Sequence, residues 1–356
     1  MAAFIFGDRI IDVNDISSLE IGGNDFEGKV LTFAKDWLSN KNEFEFKTSG
    51  STGISKKITF YRKQIKASAQ LTINTFKLTA GQTALLCLEP DFIAGKMMIV
   101  RSLEGNLNLV CLPPSANPLE GLVHTTIDFA ALVPYQLDAI LKNPLTVNKL
   151  SRIKKIIVGG ASVSKNLEQP LQKFSAIFYE TYGMTETLTH IAIRKLNPPE
   201  ESFHLLEGIK ISTDEENCLG IIAHHISDSI LQTNDVAEII GGNRFKILGR
   251  QDNIINTGGI KVQPEIIEHK ILNSELPSLK NRNFIVTGIP HLTLGQQVVL
   301  IIEGDAPASS EILTIIELLR SHLEKFEVPK SIHYLHQIPR TESGKINRLL
   351  AKQSIL

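Results

Sequence analysis

Leu248-Gly249-Arg250-Gln251-Asp252-Asn253-Ile254-Ile255-Asn256-Thr257-Gly258-Gly259-Ile260-Lys261-Val262-Gln263-Pro264-Glu265-Ile266-Ile267-Glu268 separates two kinds of sequence. Upstream, over residues 209–248, short β-rich pieces are divided by Asp214-Glu215-Glu216-Asn217, Asn234-Asp235 and Gly241-Gly242-Asn243. That predicts a small antiparallel or barrel-like subdomain. Downstream the pattern is compact α+β. Pro264 opens a helix with Glu265 near its positive end. Residues 283–289 and 297–303 read as a strand pair, and residues 310–325 as an amphipathic helix capped by Ser309 or Ser310.

Nearer the N-terminus, short apolar runs alternate with amphipathic segments. Residues 84–88, 107–112, 155–158 and 176–179 read as buried strands; residues 93–103, 129–141 and 167–174 read as helices. Such alternation predicts an α/β sheet with helices on its faces. The expected organisation is a large N-terminal α/β domain over residues 1–249, with a mixed or parallel sheet and a β-rich subdomain over about 205–249. A small α+β C-terminal domain follows over residues 250–356.

Composition narrows the function classes. The chain has 356 residues, 42% hydrophobic and 21% charged, enough for a sizeable core in two domains. A formal net charge of -1 lacks the basic footprint of a nucleic-acid binder. Cys87, Cys111 and Cys218 have no metal-ligand spacing and fit reduced, buried thiols. Met1 to Arg9 carries no signal pattern, and no apolar run approaches the roughly 20 residues of a membrane span. A cytoplasmic protein without an integral membrane segment is expected. Oligomeric state stays open.

Thr48-Ser49-Gly50-Ser51-Thr52-Gly53-Ile54-Ser55-Lys56-Lys57 mixes hydroxyls with glycines and ends on two lysines. Glycine lets successive N–H groups turn toward one point, so the run suits phosphate oxygens. A polar linker has the same composition. The G-x-x-x-x-G-K-[ST] loop is excluded: counted from Gly50, Ser55 occupies the second glycine position and Lys57 the Ser/Thr position. Tyr179-Glu180-Thr181-Tyr182-Gly183-Met184-Thr185-Glu186 follows a predicted strand and is expected on a loop at its carboxyl end, where ligands collect in open α/β sheets. Tyr182 offers a flat face to a purine, Thr185 a hydroxyl, and Glu186 a hard oxygen ligand for Mg2+. Val158-Gly159-Gly160-Ala161-Ser162 is a second strand-to-loop transition, either a close approach to a base or a tight turn.

These motifs, in this order, resemble those of the AMP-forming acyl-CoA synthetases, the adenylate-forming superfamily. The run from Thr48 resembles T-S-G-[ST]-T-G-x-P-K, with Ser55 replacing the proline. The run from Gly249 resembles G-R-x-D, a glycine and P-x-E-I-E. Pro339-Arg340-Thr341-Glu342-Ser343-Gly344-Lys345-Ile346-Asn347-Arg348 resembles P-x-T-x-x-G-K-x-x-R. Asp235 matches a T-G-D element in which Asn234 replaces the glycine. Gly258-Gly259 before Gln263-Pro264-Glu265, with Asn256 where the wider family has lysine, is particularly similar to o-succinylbenzoate–CoA ligases of menaquinone synthesis. The resemblance covers about residues 45–350, and residues 129–137 resemble a helical core element of the family.

The resemblance implies a two-step reaction. A carboxylate attacks ATP to give an acyl-adenylate and pyrophosphate; a thiol, normally that of CoA, then displaces AMP. The first step joins two anions, so positive charge must stand at the reacting centre. The resemblance gives that role to Lys345, with Thr185 and Glu186 beside it. Thr48, Ser49, Gly50, Ser51, Thr52, Gly53 and Lys56 would hold phosphates, and Glu186 would position Mg2+. Gly160, Ala161, Tyr182, Gly183 and Met184 would take adenine, and Asp235 and Arg250 the ribose. Asp252 would be the hinge of a rotating C-terminal domain, with Gly258 and Gly259 lining the CoA tunnel.

In succinylbenzoate ligases a similar helix contributes an arginine, so Arg101 would pair with a free succinyl carboxylate; a surface arginine is the alternative. Thr189 and His190 would face the acyl group or serve strand packing. Pro90-Asp91-Phe92 lacks the histidine that many members carry before this helix. Fewer residues precede Thr48 than in typical members, which suggests a reduced N-terminal subdomain. The leading expectation is an o-succinylbenzoate–CoA ligase. An adenylating enzyme for another aryl or fatty acid, and a non-catalytic nucleotide-binding homologue, are the alternatives. Retention of Lys345, Glu186, Asp235 and Arg250 argues against the last.

Overall fold

The computed structural model describes residues 2–47, 57–123, 126–274, 276, 278–279, 282–307, 309–341 and 346–356. The chain divides into two compact units. The first comprises Met1–Lys210, Ile222–Leu231 and Gly242–Arg244; the second comprises Ile211–Ile221, Gln232–Gly241 and Phe245–Leu356.

The first unit is built on a parallel sheet. Asn108–Cys111 and Ile127–Leu132 flank Thr83–Leu86, and Ile153–Val158 and Ile177–Met184 continue the sheet in the same direction. These strands are apolar at consecutive positions because both faces are covered. Ala84, Leu86 and Ile157 join one buried cluster with Phe129, Met97 and Trp37, while Leu85, Ile156 and Val158 join another with Leu137 and Phe178. Ala3–Phe6 pairs parallel with Asn108–Cys111 and carries Arg9–Asp12 on its outer side. Helices Phe26–Leu38, Arg62–Phe76 and Ile93–Gly105 contribute to the first cluster. Asp25 caps the first of them by accepting from the Gly28 N–H at 2.8 Å.

Three sequence expectations need correction. Residues 129–141 are not one helix: Ile127–Leu132 is a strand and Pro134–Lys142 a helix. Pro134 takes the first helical position and holds Val133 in extended backbone (φ -101, ψ 156), so the apolar run before it is a strand. Residues 167–174 form one α turn, Lys165–Glu168, followed by a 3-10 turn, Gln169–Lys173, since Pro170 lacks the N–H an α-helix needs. Tyr179 to Met184 lies within a strand rather than on a loop, because Thr189–Lys195 folds back and pairs antiparallel with it.

In the second unit, Ile255–Thr257 and Ile260–Val262 form a hairpin. Phe284–His291 and Gly295–Glu303 pair antiparallel as expected, and Ser331–Leu335 adds in parallel. Helices Pro264–Asn273 and Ser309–His322 close over this sheet, burying Ile267, Ile271, Ile315 and Leu319 with Val286, Val298 and Leu300. Strand Ser227–Ile239 pairs antiparallel with Arg244–Arg250, setting Asp235 directly opposite Arg250. No described helix is long and apolar enough to cross a membrane.

Candidate active site

Within the first unit, the carboxyl ends of two adjacent parallel strands bring two of the sequence motifs together. Val158 is the register partner of Glu180, and beyond it the chain enters Gly159-Gly160-Ala161. A Cβ at Gly159 would collide with the Thr181 hydroxyl, and Gly160 has φ +88, so this turn requires glycine. Gly160 and Ala161 are exposed. The turn is tied to the neighbouring strand from below: the Val163 N–H donates to buried Glu180 Oε1 at 2.9 Å, and Arg194 pairs with both Glu180 and Glu168. Burial pushes the Glu180 carboxyl up, against the pull of Arg194 and the Val163 N–H.

Strand Ile177–Met184 delivers Tyr182, Gly183 and Met184, and the 3-10 turn Thr185–Thr187 carries Glu186. The Thr187 hydroxyl accepts from the Met184 N–H at 2.9 Å and donates to the Thr189 carbonyl at 2.6 Å, closing the turn. A Cβ at Gly183 would collide with the Thr189 backbone. Tyr182 packs against Phe203 at 5.9 Å between ring centres. Glu186 makes no hydrogen bond or ion pair with a described residue, so its carboxylate is free to act as a hard oxygen ligand, and no group of three or more His, Cys, Asp or Glu among the described residues competes for a metal ion. Mg2+ typically takes one or two carboxylates and completes its shell with phosphate and water, which fits a single free glutamate.

Thr189 follows this turn with φ +93, and Leu188 precedes it with φ +50. Positive φ is strained for a β-branched residue, and strain of this kind concentrates at ligand sites. Arg101, on helix Ile93–Gly105, donates from Nη2 to Thr189 Oγ1 at 2.8 Å and from Nη1 to the Met98 sulfur at 3.7 Å. Its Nε has no partner, no described carboxylate pairs with it, and it is 2% exposed. Arg101 is therefore not a surface arginine. Burial pulls its guanidinium down to about 9. His190, within 3.4 Å of Thr72 Oγ1, is buried too, and burial with the Arg101 charge holds its imidazole neutral.

In the second unit, Arg250 forks onto Asp252, Nε to Oδ1 and Nη2 to Oδ2, both at 3.0 Å, and reaches Asp235 Oδ1 from Nη1 at 2.9 Å. Burial works against the Asp252 charge, but bonds from Arg250 and Asn234 hold its carboxyl below the ordinary value. Asn234 is thus more than a replaced glycine. The Gln263 amide donates to the Arg250 carbonyl at 3.0 Å, and Asn253 donates to Glu265. Gly258 and Gly259 have φ +62 and +83, the two-residue turn of the hairpin, and are exposed. The turn demands glycine there whatever passes over it.

Residues 48–56 and Lys345 lie outside the described residues. Their flanks are described: Lys47 pairs with Lys57, and Arg340 bridges to Ile346. Sequence reasoning missed the Glu168–Arg194–Glu180 cluster and the partnership of Glu268 with Arg348. Both span distant positions, so no local spacing reveals them.

A parallel sheet bearing a Gly-Gly turn beside a Tyr-Gly-Met-Thr-Glu hairpin, with the paired Asp235–Arg250 strands and an α+β segment following, defines the adenylate-forming fold. The AMP-binding enzyme family matches residues 47–209. A solved acyl-CoA synthetase (AMP-forming)/AMP-acid ligase II-like protein from Dyadobacter fermentans is 36% identical, covers 96% of this chain and 97% of its own, and superposes with a TM-score of 0.64. The chain belongs to the family of AMP-forming acyl-CoA synthetases, the AMP-binding enzymes. A 2-succinylbenzoate–CoA ligase of Lactococcus lactis is 23% identical over 338 residues, which make up 89% of this chain and 72% of that protein. The o-succinylbenzoate coenzyme A synthetase of Bacillus subtilis, solved with ATP and a magnesium ion, has a TM-score of 0.72 at 18% identity, covering 86% of this chain and 69% of its own.

Proposed function

We propose that this enzyme is an ATP-dependent acid–CoA ligase whose acid carries a second carboxylate, with o-succinylbenzoate as the substrate. The observation that carries the substrate class is Arg101: a buried guanidinium with an unpartnered Nε and no described carboxylate. A buried cation without an anion is costly, and an anionic ligand group relieves that cost. Arginine presents a planar fork suited to carboxylates. The curated relatives named 2-succinylbenzoate–CoA ligases support the same class.

In the first step the acid's reacting carboxylate attacks the α-phosphorus of ATP and pyrophosphate leaves. Residues 48–56 hold the departing phosphates and Lys345 carries charge to the reacting centre. Tyr182 stacks on adenine beside Gly160, Ala161, Gly183 and Met184, and Thr185 adds a hydroxyl. Asp235 accepts from the ribose hydroxyls and Arg250 donates to them. Glu186 would hold Mg2+, which when bound would neutralise charge on the phosphates. Thr189, already bonded to Arg101, orients the acid's second carboxylate. In the second step the C-terminal domain, residues 250–356, turns about Asp252, and the thiol of CoA passes over exposed Gly258 and Gly259 to displace AMP. The setting is cytoplasmic, in keeping with three free, buried cysteines.

The test is acid-dependent ATP–pyrophosphate exchange across a panel of aryl and fatty acids with and without a second carboxylate. Exchange is expected with o-succinylbenzoate. Exchange with monocarboxylates alone refutes the substrate class, and exchange with no acid refutes the ligase.

A further inference from the structure

Within the first unit, the turn and the tyrosine proposed above to meet adenine are both tied to one buried arginine that has no role so far. Successive side chains of a strand alternate faces, so Glu180 and Tyr182 stand on the same face of strand Ile177–Met184. Arg194 is the register partner of Glu180 on strand Thr189–Lys195, and Ile193 pairs in turn with His204 on strand Phe203–Leu205. This register brings Phe203 beside both Arg194 and Tyr182. Its ring centre lies 5.9 Å from that of Tyr182, with the two planes at 56°. The Arg194 guanidinium carbon also lies 5.9 Å from the Phe203 ring centre, within reach of a cation–π contact.

The guanidinium is held from three sides. Nε donates to Glu180 Oε2, and Nη1 donates to Glu168 Oε1 and to the Glu200 carbonyl, both at 2.9 Å. The other oxygen of Glu180 accepts from the Val163 N–H, just past the Gly159-Gly160-Ala161 turn. Arg194 therefore connects through Glu180 to the turn and through Phe203 to the Tyr182 ring. Buried charges of this kind contribute little to stability by themselves, since apolar groups of like volume often do as well. A fully bonded polar cluster does supply fixed geometry.

We infer that Arg194 and Phe203 are positioning residues for the base of ATP: Phe203, backed by Arg194, holds the Tyr182 ring in the plane on which adenine stacks, in register with the Gly160-Ala161 turn. This rests on the reading of Tyr182, Gly160 and Ala161 as the adenine site. Both residues act through Tyr182, so their effect falls on the base and not on the phosphates.

The test measures, by calorimetry on the full-length protein, the affinity for ATP and for inorganic tripolyphosphate, which carries phosphates without a base. F203L keeps an apolar side chain at a half-buried position and removes the ring. Its ATP affinity is expected to fall about three- to tenfold, the size of an aromatic pair's contribution, with tripolyphosphate affinity and melting temperature near wild type. F203Y, which keeps the ring, restores the affinity for ATP. R194K keeps the charge without the planar fork and falls between F203L and wild type. Unchanged ATP affinity in F203L overturns the inference. So does equal loss for ATP and tripolyphosphate, or a loss that F203Y does not restore, either of which makes Phe203 a packing residue alone. Y182A is the separate control, expected to weaken ATP about 10–100-fold as a lost base stack does. No loss in Y182A refutes the adenine reading itself; loss in Y182A with none in F203L overturns the positioning role only.

Discussion

Replacing Arg101 by methionine should make the protein more stable and worse at binding its acid. Methionine retains a straight, flexible chain, shorter than arginine by the end of the guanidinium, and removes the charge. Burial lowers the Arg101 guanidinium from its ordinary value to about 9, and at 1.36 kcal/mol per tenfold change in proton affinity this corresponds to roughly 5 kcal/mol of disfavoured charge in the folded state. Arginine does not escape by deprotonating at neutral pH. The bonds to Thr189 and Met98 offset part of this, so R101M should gain about 1–4 kcal/mol, the range seen when buried charges give way to apolar groups. Urea unfolding of the free protein measures that gain. The loss appears with substrate: a charge-assisted hydrogen bond contributes about 1.5–3 kcal/mol, so the KM for a dicarboxylate should rise about 10–100-fold while the KM for ATP is unchanged. The acid should also raise the melting temperature of wild type and not that of R101M, since only a ligand that binds the native state stabilises it. An R101M protein that is destabilised by more than about 1 kcal/mol, with an unchanged KM for the acid, refutes the reasoning and makes Arg101 a packing residue.

K345A should lose pyrophosphate exchange by about 10²–10³-fold, as removal of one preorganised charge at a reacting centre does; thioester formation from supplied acyl-adenylate should survive, and survival of both half-reactions removes its assigned role. G249A should cost about 1–3 kcal/mol in urea unfolding, because its Cβ would strike the Gln263 and Glu265 side chains at a residue with φ +154; an unchanged midpoint would show that this contact yields freely. Asp128 supplies a pH dependence. Burial works against its charge, but Lys154 and the Thr83 N–H, at 2.7 and 2.8 Å, hold its carboxyl below the ordinary value. A depressed carboxyl stabilises above its unfolded pKa, and that contribution is lost as pH falls through the folded one. D128N should therefore cost about 1 kcal/mol at neutral pH, discounted for the exposed lysine, and almost nothing near pH 2; a cost that persists in acid contradicts the sign.

The parallel strands were legible because burial on both faces leaves consecutive apolar residues, as in Ile156-Ile157-Val158, and because the segments between them carry helical spacing. The same criterion failed at Phe129–Leu132, where a buried strand and a buried helix look alike; Pro134 held the information, since it fixes where a helix can start. The hairpin after Tyr179 was hidden for a different reason. Its return strand pairs across a turn with two residues of positive φ, Leu188 and Thr189, types that rarely adopt it. Arg101 shows the limit for single sites. Met97 through Ser102 are all buried, and only Lys96 and Glu104 mark the helix's partly exposed side, too few for an arginine to be recognised as out of place. Only its packing distinguishes a surface charge from an uncompensated one.

The motif from Gly249 to Glu268 owes its length to a physical interlock. Gly249 lacks a Cβ because the Gln263 and Glu265 side chains fill that space, and Gln263 in turn holds the Arg250 carbonyl. Fixing that carbonyl fixes the residue whose guanidinium is divided between Asp235 and Asp252. Glycine, arginine, aspartate and the Gln-Pro-Glu helix start are thus one structure, and a change at any of them alters the orientation of Arg250. The ribose role proposed for Asp235 and the hinge role proposed for Asp252 are coupled: each takes part of the same cation, so removing one leaves Arg250 to the other. Asn234 belongs to the same set through its bond to Asp252, and its place in the T-G-D element is where this chain departs from the family by adding a contact.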